Sequence, residues 1–377
     1  MSDAMPVPFV DLLPQWGAIE AQVTPDLHKL FVSGEFCLGS WVQRFEEAFA
    51  RYLDVPYAIA VNSGTSALHL ALIAAGVGPG DRVLLPSHTF VATLWAVLYV
   101  GAIPVLCDVD PLTGTLDPED ARRRLQSGAK AIMPVHLYGQ PAELDSILAL
   151  ADQHGLTVIE DTAQAHGARY RNRAVGTHGA FGCFSFYPGK NLGAAGEGGM
   201  VVTADPKAAE QIRALRNHGQ YERWIHRELG FNYRMEGIQG LILGHKLPHL
   251  NAWTDARRHV ARRYQEGLAD LPILLPTVRH HDHVYHLYVI HTPQREALRR
   301  FLEQRNIQTG IHYPVPLHRQ PCYTALGISA PEGYPHTDRL TEQCLSLPMY
   351  AGMQEAQIDA VIAGVRAFFA SADQGPT

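Results

Sequence analysis

Through its first two hundred residues the chain alternates short apolar runs with helix-length segments, and nothing else in the sequence limits the possible folds as much. Residues 58–61 predict a strand that ends at Asn62-Ser63-Gly64, and 65–75 a helix stopped by Gly76 and Gly78. Residues 83–85, 91–99 and 103–106 predict strand, helix and strand. Two further strands are expected at 131–135 and 157–159, with a helix over 142–154 between them and Gly155 as its stop. Such a β-α-β series builds an α/β fold around a largely parallel sheet covered on both faces. Ligands of these sheets sit beyond the carboxyl ends of the strands. Polar residues directly after the apolar runs are therefore the ones to inspect.

The run 83–107 is apolar enough to suggest a membrane span, with His88 its one notable ionisable side chain. Pro86, Gly101 and Pro104 interrupt it, and strand–helix–strand in a buried layer accounts for it better. After Gly199 the pattern changes: a strand at 200–203, a helix at 206–217, then a long helical stretch from 235 to about 268. Beyond it come a strand at 285–291, a helix at 296–305, a strand at 310–313 and a terminal helix at 355–369. A length of 377 residues suits two domains. The expected division is a large α/β domain with an N-terminal arm over 1–250 and a smaller α+β domain over 251–377.

A net charge of -6 disfavours nucleic acid as a partner. The five cysteines (Cys37, Cys107, Cys183, Cys322, Cys344) are scattered, odd in number and free of any C-x-x-C spacing. They point to a reducing compartment, the cytoplasm, and away from a disulfide framework or zinc ribbon. Residues 1–15 carry Asp3 and Asp11 but no basic side chain and do not read as a signal peptide.

Three segments carry candidate chemistry. In 158–167 an apolar strand ends in Glu160 and Asp161, followed by small and polar residues. Asp161 is either a turn acid or a carboxylate aimed at a cation in a dry pocket. In 184–199 Lys190 is surrounded by glycine and small residues. Only five lysines stand among 26 arginines: Lys29, Lys130 and Lys207 have settings that suit solvent, and Lys246 lies in the long helix. Lys190 alone has neighbours that let a planar ligand approach the backbone. The glycine run precedes a strand and opens no helix, so it fails the context test for a dinucleotide fingerprint. The third segment, 62–68, is a strand end, a glycine, two hydroxyls and a helix start. Helix N-termini attract phosphate, although serine and threonine are also ordinary caps there. A lysine amine to form an imine, a carboxylate to keep a pyridine nitrogen protonated and a phosphate cradle are together what pyridoxal 5'-phosphate requires.

Residues 160–167 and 185–192 resemble the motifs of the DegT/DnrJ/StrS-type sugar aminotransferases, fold-type I pyridoxal-phosphate enzymes that mostly act on nucleotide-linked keto sugars. The resemblance runs from Pro8-Phe9-Val10-Asp11-Leu12 to the last helix, and the 29 positions from Asp161 to Lys190 also match. It implies that Lys190 forms the Schiff base and moves the proton, and that Asp161 pairs with the pyridinium nitrogen. It places Gln164 near the ring hydroxyl and Phe90 stacked on the ring. Gly64, Thr65, Ser66 and Ser185 match phosphate contacts, and Asn232 matches an asparagine that reaches the phosphate of the neighbouring subunit. A homodimer with shared sites is implied. Some relatives replace the lysine by histidine and act as dehydratases; Lys190 favours amino transfer.

The segment 311–318 is similar to one found in members that aminate C3 of dTDP-keto sugars with glutamate as donor, which makes His312, Tyr313 and His318 the substrate-side candidates, with His286 as a further lining residue. A strand and a proline-stiffened turn would explain most of the same segment. C4-keto sugars, cyclitols, dehydration, or a non-catalytic regulator that binds the coenzyme are the alternatives. The cluster His280, His281, His283 and His286 has one acid, Asp282, and neither a helical i, i+4 pair nor cysteines, so no metal is expected there.

Overall fold

The computed structural model describes residues 6–125, 128–279, 282–328 and 333–372. Its central sheet is built from β1 (Tyr57–Val61), β2 (Arg82–Pro86), β3 (Ile103–Cys107), β4 (Ala129–Ile132) and β5 (Thr157–Asp161). A short hairpin, β6 (Arg169–Tyr170) with β7 (Arg173–Ala174), precedes the last two members, β8 (Phe181–Ser185) and β9 (Gly199–Thr203). The order across the sheet is β1-β9-β8-β5-β4-β2-β3. The pairs among β2, β3, β4, β5 and β8 are parallel, whereas β9 runs antiparallel to both β1 and β8. This is the α/β architecture the alternation predicts, with one reversed strand. Because of that reversal, Val61 and Ser185 end opposite Gly199, where β9 begins.

Helices cover both faces. Helix Gly64–Ala74 is buried on nearly every side, and its Leu70 and Leu72 pack with Ile59, Val83 and Leu94. On the other face Phe45 and Phe49 of helix Gly39–Leu53 meet Phe184 and Phe186 edge-on. Helix Leu144–His154 closes on Gly155 at φ +64, a left-handed cap that glycine adopts without a steric penalty. The stretch 83–107 is indeed strand, helix (Val91–Tyr99) and strand, and among the described residues no helix is long and apolar enough to cross a membrane.

Two expectations need correction. The stretch 235–268 is two helices, Gly237–Lys246 and Leu250–Leu268, because Pro248 in the turn Leu247–His249 lacks an N–H for the helical ladder. Residues 310–313 form no strand: Gly310 makes one bridge to Ser346, and Pro314 and Pro316 cannot extend it. Instead β12 (Tyr288–His291), which follows the small β10 (Gln220–Glu222) and β11 (Ile225–His226), pairs with β13 (Cys344–Leu347). The N-terminal helices Leu13–Gly17, Glu20–Ser33 and Gly39–Leu53 were also not anticipated. Around β12 and β13 lies a separate apolar core with Val260, Tyr264, Leu268, Ile358 and Val365.

Candidate active site

Period-two geometry sends the neighbours Glu160 and Asp161 to opposite sides of β5. Glu160 is fully buried against His136 at 3.0 Å and accepts N–H bonds of 2.7 Å from Gly176, His178 and Gly179. Its lone pairs are consumed by structure. Asp161 keeps a poorer shell: Thr93 Oγ1 donates to Oδ2 at 2.8 Å and the Ala163 N–H to Oδ1 at 3.1 Å. Burial pushes the Asp161 pKa above the usual carboxylate range, against the pull of those donors and of the Lys190 charge. A buried carboxylate in that condition gains from any cation set beside it.

Lys190 rides on the loop between β8 and β9. Burial pulls its ammonium down to about 8, with the Asp161 charge opposing. The same Lys190 charge acts on three buried or half-buried imidazoles, each depressed first by burial: His166 to about 3, His312 to about 4 and His286 well below its normal value. Amine, acid and imidazoles thus share one site. The loop is pinned where it could move. Lys246 Nζ donates to Gly193 O at 2.7 Å, the Ala195 N–H donates to Gln239 Oε1 at 3.0 Å, and Asn191 Nδ2 donates to Val284 O at 3.0 Å. Gly193 is required there, since a Cβ would lie 2.2 Å from Pro188 O. Burial lowers Lys246 to about 8 as well, but its amine is spent on a carbonyl.

At the start of helix Gly64–Ala74, Ser63 Oγ caps the Ser66 N–H at 3.1 Å and Ser66 Oγ donates to Asn62 Oδ1 at 2.7 Å. The cap reading therefore accounts for Ser66. The N–H groups of Gly64 and Thr65, at the start of the first turn, have no intrahelical partner, and Thr65 is half-buried. A Cβ on Gly64 would stand 2.7 Å from Ser185 Cβ, so only glycine lets this helix end meet Ser185. Two strand ends thus bring a helix N-terminus and Ser185 together, the geometry an anion cradle needs.

The other candidates divide. Phe90 is half exposed, with its ring 5.5 Å from that of Tyr313. Gln164 accepts from the Tyr138 N–H at 2.7 Å and donates to the Tyr313 hydroxyl at 3.0 Å. His312 pairs through Nδ1 with Ser346 Oγ at 2.8 Å and stacks on Phe9. His318 stands apart from the Lys190 cluster, held by Ser87 Oγ at 2.7 Å, Asp338 at 3.0 Å and the Tyr334 ring. The Asn232 side chain is exposed, and its backbone carbonyl accepts from Asn62 Nδ2 at 3.5 Å. His280 and His281 lie outside the described residues, and among the described ones no group of three or more metal-ligating side chains is placed to hold an ion. Thr93 and Tyr138 escaped the sequence reading. Thr93 had a usable signal, since it follows Phe90 by three positions on the helix leaving the same strand end.

The model of the DegT/DnrJ/EryC1/StrS aminotransferase family matches residues 18–366. The chain belongs to that family. A dTDP-3-amino-3,4,6-trideoxy-alpha-D-glucose transaminase of Streptomyces venezuelae is 43% identical to this aminotransferase over 98% of this chain and 97% of its own. The S. venezuelae protein DesV, solved in complex with a ketimine intermediate, superposes with a TM-score of 0.93 at 43% identity, covering 96% of this chain and 98% of its own. A "pleiotropic regulatory protein" of Geobacillus stearothermophilus is 40% identical over 97% of this chain and 99% of its own.

The residues present fit the coenzyme this family implies: an amine and a desolvated acid at one site, beside a glycine-dependent anion cradle. One consequence is measurable. With its pKa at about 8, roughly a tenth of Lys190 is free amine at pH 7. Uptake of pyridoxal phosphate by apoprotein, followed by absorbance, is expected to quicken roughly tenfold from pH 6 to 7 and to level off above about 8. A flat profile across that range would remove the depressed amine from the argument.

Proposed function

We propose that this protein is a pyridoxal-phosphate-dependent transaminase that moves an amino group from L-glutamate to a nucleotide-linked keto sugar, a dTDP-3-keto-6-deoxyhexose. The observation that carries this reading is the pairing of Lys190 with Asp161 in one electrostatically coupled site. The coenzyme, when bound, supplies an electron-poor ring that stabilises the charge left as a proton departs from carbon. Lys190 would hold the coenzyme covalently through its Nζ, and the same amine, once released, would carry the proton to and from the substrate carbon. Asp161, oriented by Thr93, keeps the proton on the ring nitrogen. The N–H groups of Gly64 and Thr65, with Thr65 and Ser185, bind the phosphate. Ser66 acts through the cap. Phe90 would cover one ring face, and Gln164, fixed by the Tyr138 N–H, would lie by the ring hydroxyl. His286, His312 and Tyr313 form the substrate wall. His318 belongs to its rim.

The chain is read as two domains, 1–250 and 251–377, since Leu247 and Leu250 pack with the sheet while Val260, Tyr264 and Leu268 pack around β12 and β13. It is read as a cytoplasmic homodimer with shared sites. The exposed apolar side chains Phe31, Val32 and Phe36 near the N-terminal helices, and Trp224 and Leu229 in the excursion before Asn232, support that state. Asn232 would then reach the partner's phosphate. Mixing a Lys190→Ala protein with an Asn232→Ala protein should restore activity in the hybrid dimer, because one of its two sites is intact. Activity no greater than that of the parents would remove the cross-subunit role.

The reaction is tested with a panel of dTDP-, UDP- and GDP-keto sugars and L-glutamate, with the product amine located by NMR. The expected product is a dTDP-3-amino sugar. Amination at C4, a cyclitol product or a UDP sugar as the preferred acceptor would relocate the specificity. A coenzyme absorbance unchanged by every amino donor would favour dehydration or a regulatory role over amino transfer.

A further inference from the structure

A small cavity of about 20 Å³ lies behind the substrate wall, lined by His88, Gln140 and His291, with Leu112, Leu137 and Val289 among its apolar lining residues. Its size is on the scale one water molecule needs, about 10–15 Å³. Three of its lining residues each carry a buried polar atom, His88 Nδ1, Gln140 Oε1 and His291 Nε2, with no protein partner among the described residues. Native interiors rarely leave such atoms unmet.

The hydrogen-bond directions around the cavity are fixed by one carbonyl. The His312 carbonyl can only accept, so the Tyr138 hydroxyl donates to it. The Tyr138 oxygen is then the acceptor for His88 Nε2–H, at 2.7 Å. His88 is neutral, its pKa pushed down by burial to about 3, so its Nδ1 carries a lone pair and asks for a donor. Gln140 Oε1 asks for a second. His291 is pushed by burial to about 4 and is likewise neutral, and in its Nε2–H tautomer it offers one donor. Two acceptors and one donor are the complement of a single water.

We propose that this cavity holds one ordered water, which donates to His88 Nδ1 and Gln140 Oε1 and accepts from His291 Nε2–H, and so completes a chain through His88 and Tyr138 that positions the His312–Tyr313 wall. Tyr138 holds that wall twice. Its hydroxyl takes the His312 carbonyl, and its N–H orients Gln164, which donates to the Tyr313 hydroxyl. The water itself is independent of the reaction proposed above; its kinetic consequence rests on that reading.

A crystal structure of the holoprotein, at a resolution that places ordered waters, is expected to show one density peak within about 2.7–3.2 Å of all three atoms. An empty cavity, or side chains turned to pair with protein groups, would overturn the proposal whatever the enzyme turns over. The positioning role is read from kinetics. Gln140→Leu should expel the water and raise KM for the keto acceptor about fivefold to tenfold, with kcat and the glutamate half-reaction within about twofold, and Gln140→Glu should restore KM. A dry Gln140→Leu cavity with unchanged KM would sink that role. Tyr138→Phe tests the same link if Gln140→Leu does not fold. It should keep the water and still raise KM, and an unaltered KM there would count equally against the chain.

Discussion

Replacing Lys190 with alanine is expected to lower turnover on the order of a millionfold, the scale seen when a covalent catalytic group is deleted. The folded state should survive, because the pinning of the loop by Lys246, Gln239 and Asn191 does not involve the Lys190 side chain. Thermal unfolding of the apoprotein gives a second reading. The folded pKa of Lys190, about 8, lies below its unpaired value of 10.5, so the folded state penalises the ammonium. The wild type therefore gains stability as pH rises between those values, where the unfolded chain binds the extra proton. The variant, without that penalty, should unfold at or above the wild-type temperature at pH 7, and its advantage should fade from pH 8 to 10.5. Residual turnover near the wild-type rate would move the covalent role to Lys246, the other lysine lowered to about 8.

Asp161→Asn is expected to cut kcat by roughly a thousandfold or more. The amide is nearly isosteric: its Oδ1 can still accept from the Ala163 N–H, while the Nδ2 that replaces the other oxygen requires the Thr93 hydroxyl to turn and accept, so the side chain keeps its place while the charge that would retain the ring proton is lost. Uptake of coenzyme by Lys190 should persist. Stability should not fall, since burial already disfavours the Asp161 charge. A variant with wild-type kcat would mean that the carboxylate serves only as an acceptor for Thr93.

Both residues were legible in the sequence because their signals are local. Asp161 closes an apolar run, and Lys190 sits among glycines that no solvated surface requires. The parallel strands were legible for the same reason. What could not be read was set by distant contacts. Ser346 meets His312 across 34 positions, Tyr138 meets His312 across 174, and Gln15 reaches the carbonyl of Asn191 across 176. Helix Glu20–Ser33 was missed because Pro25 interrupts it and the solvent-facing Phe31 and Val32 blur the stripe of Val23, Leu27 and Leu30 that packs on Leu241 and Ile242. The segment 310–313 makes only the single bridge from Gly310 to Ser346 and bends at His312, so it adds no strand. His318 was a candidate because it is near His312 in the chain; its partners Ser87 and Asp338 are distant in sequence and could not be read from it.

The antiparallel run of β9 governs how the reactive amine is delivered. A parallel strand in that place would need a crossover of a dozen or more residues to carry the chain back to the far edge of the sheet. Reversal spares the crossover, so the polypeptide between Ser185 and Gly199 is a leash fastened at both ends on the ligand side. Phe186 and Gly198 are tied by a 2.7 Å bond at its base. A deletion or insertion within the leash, which is tied again at Asn191, Gly193 and Ala195, is therefore expected to shift the nitrogen it carries.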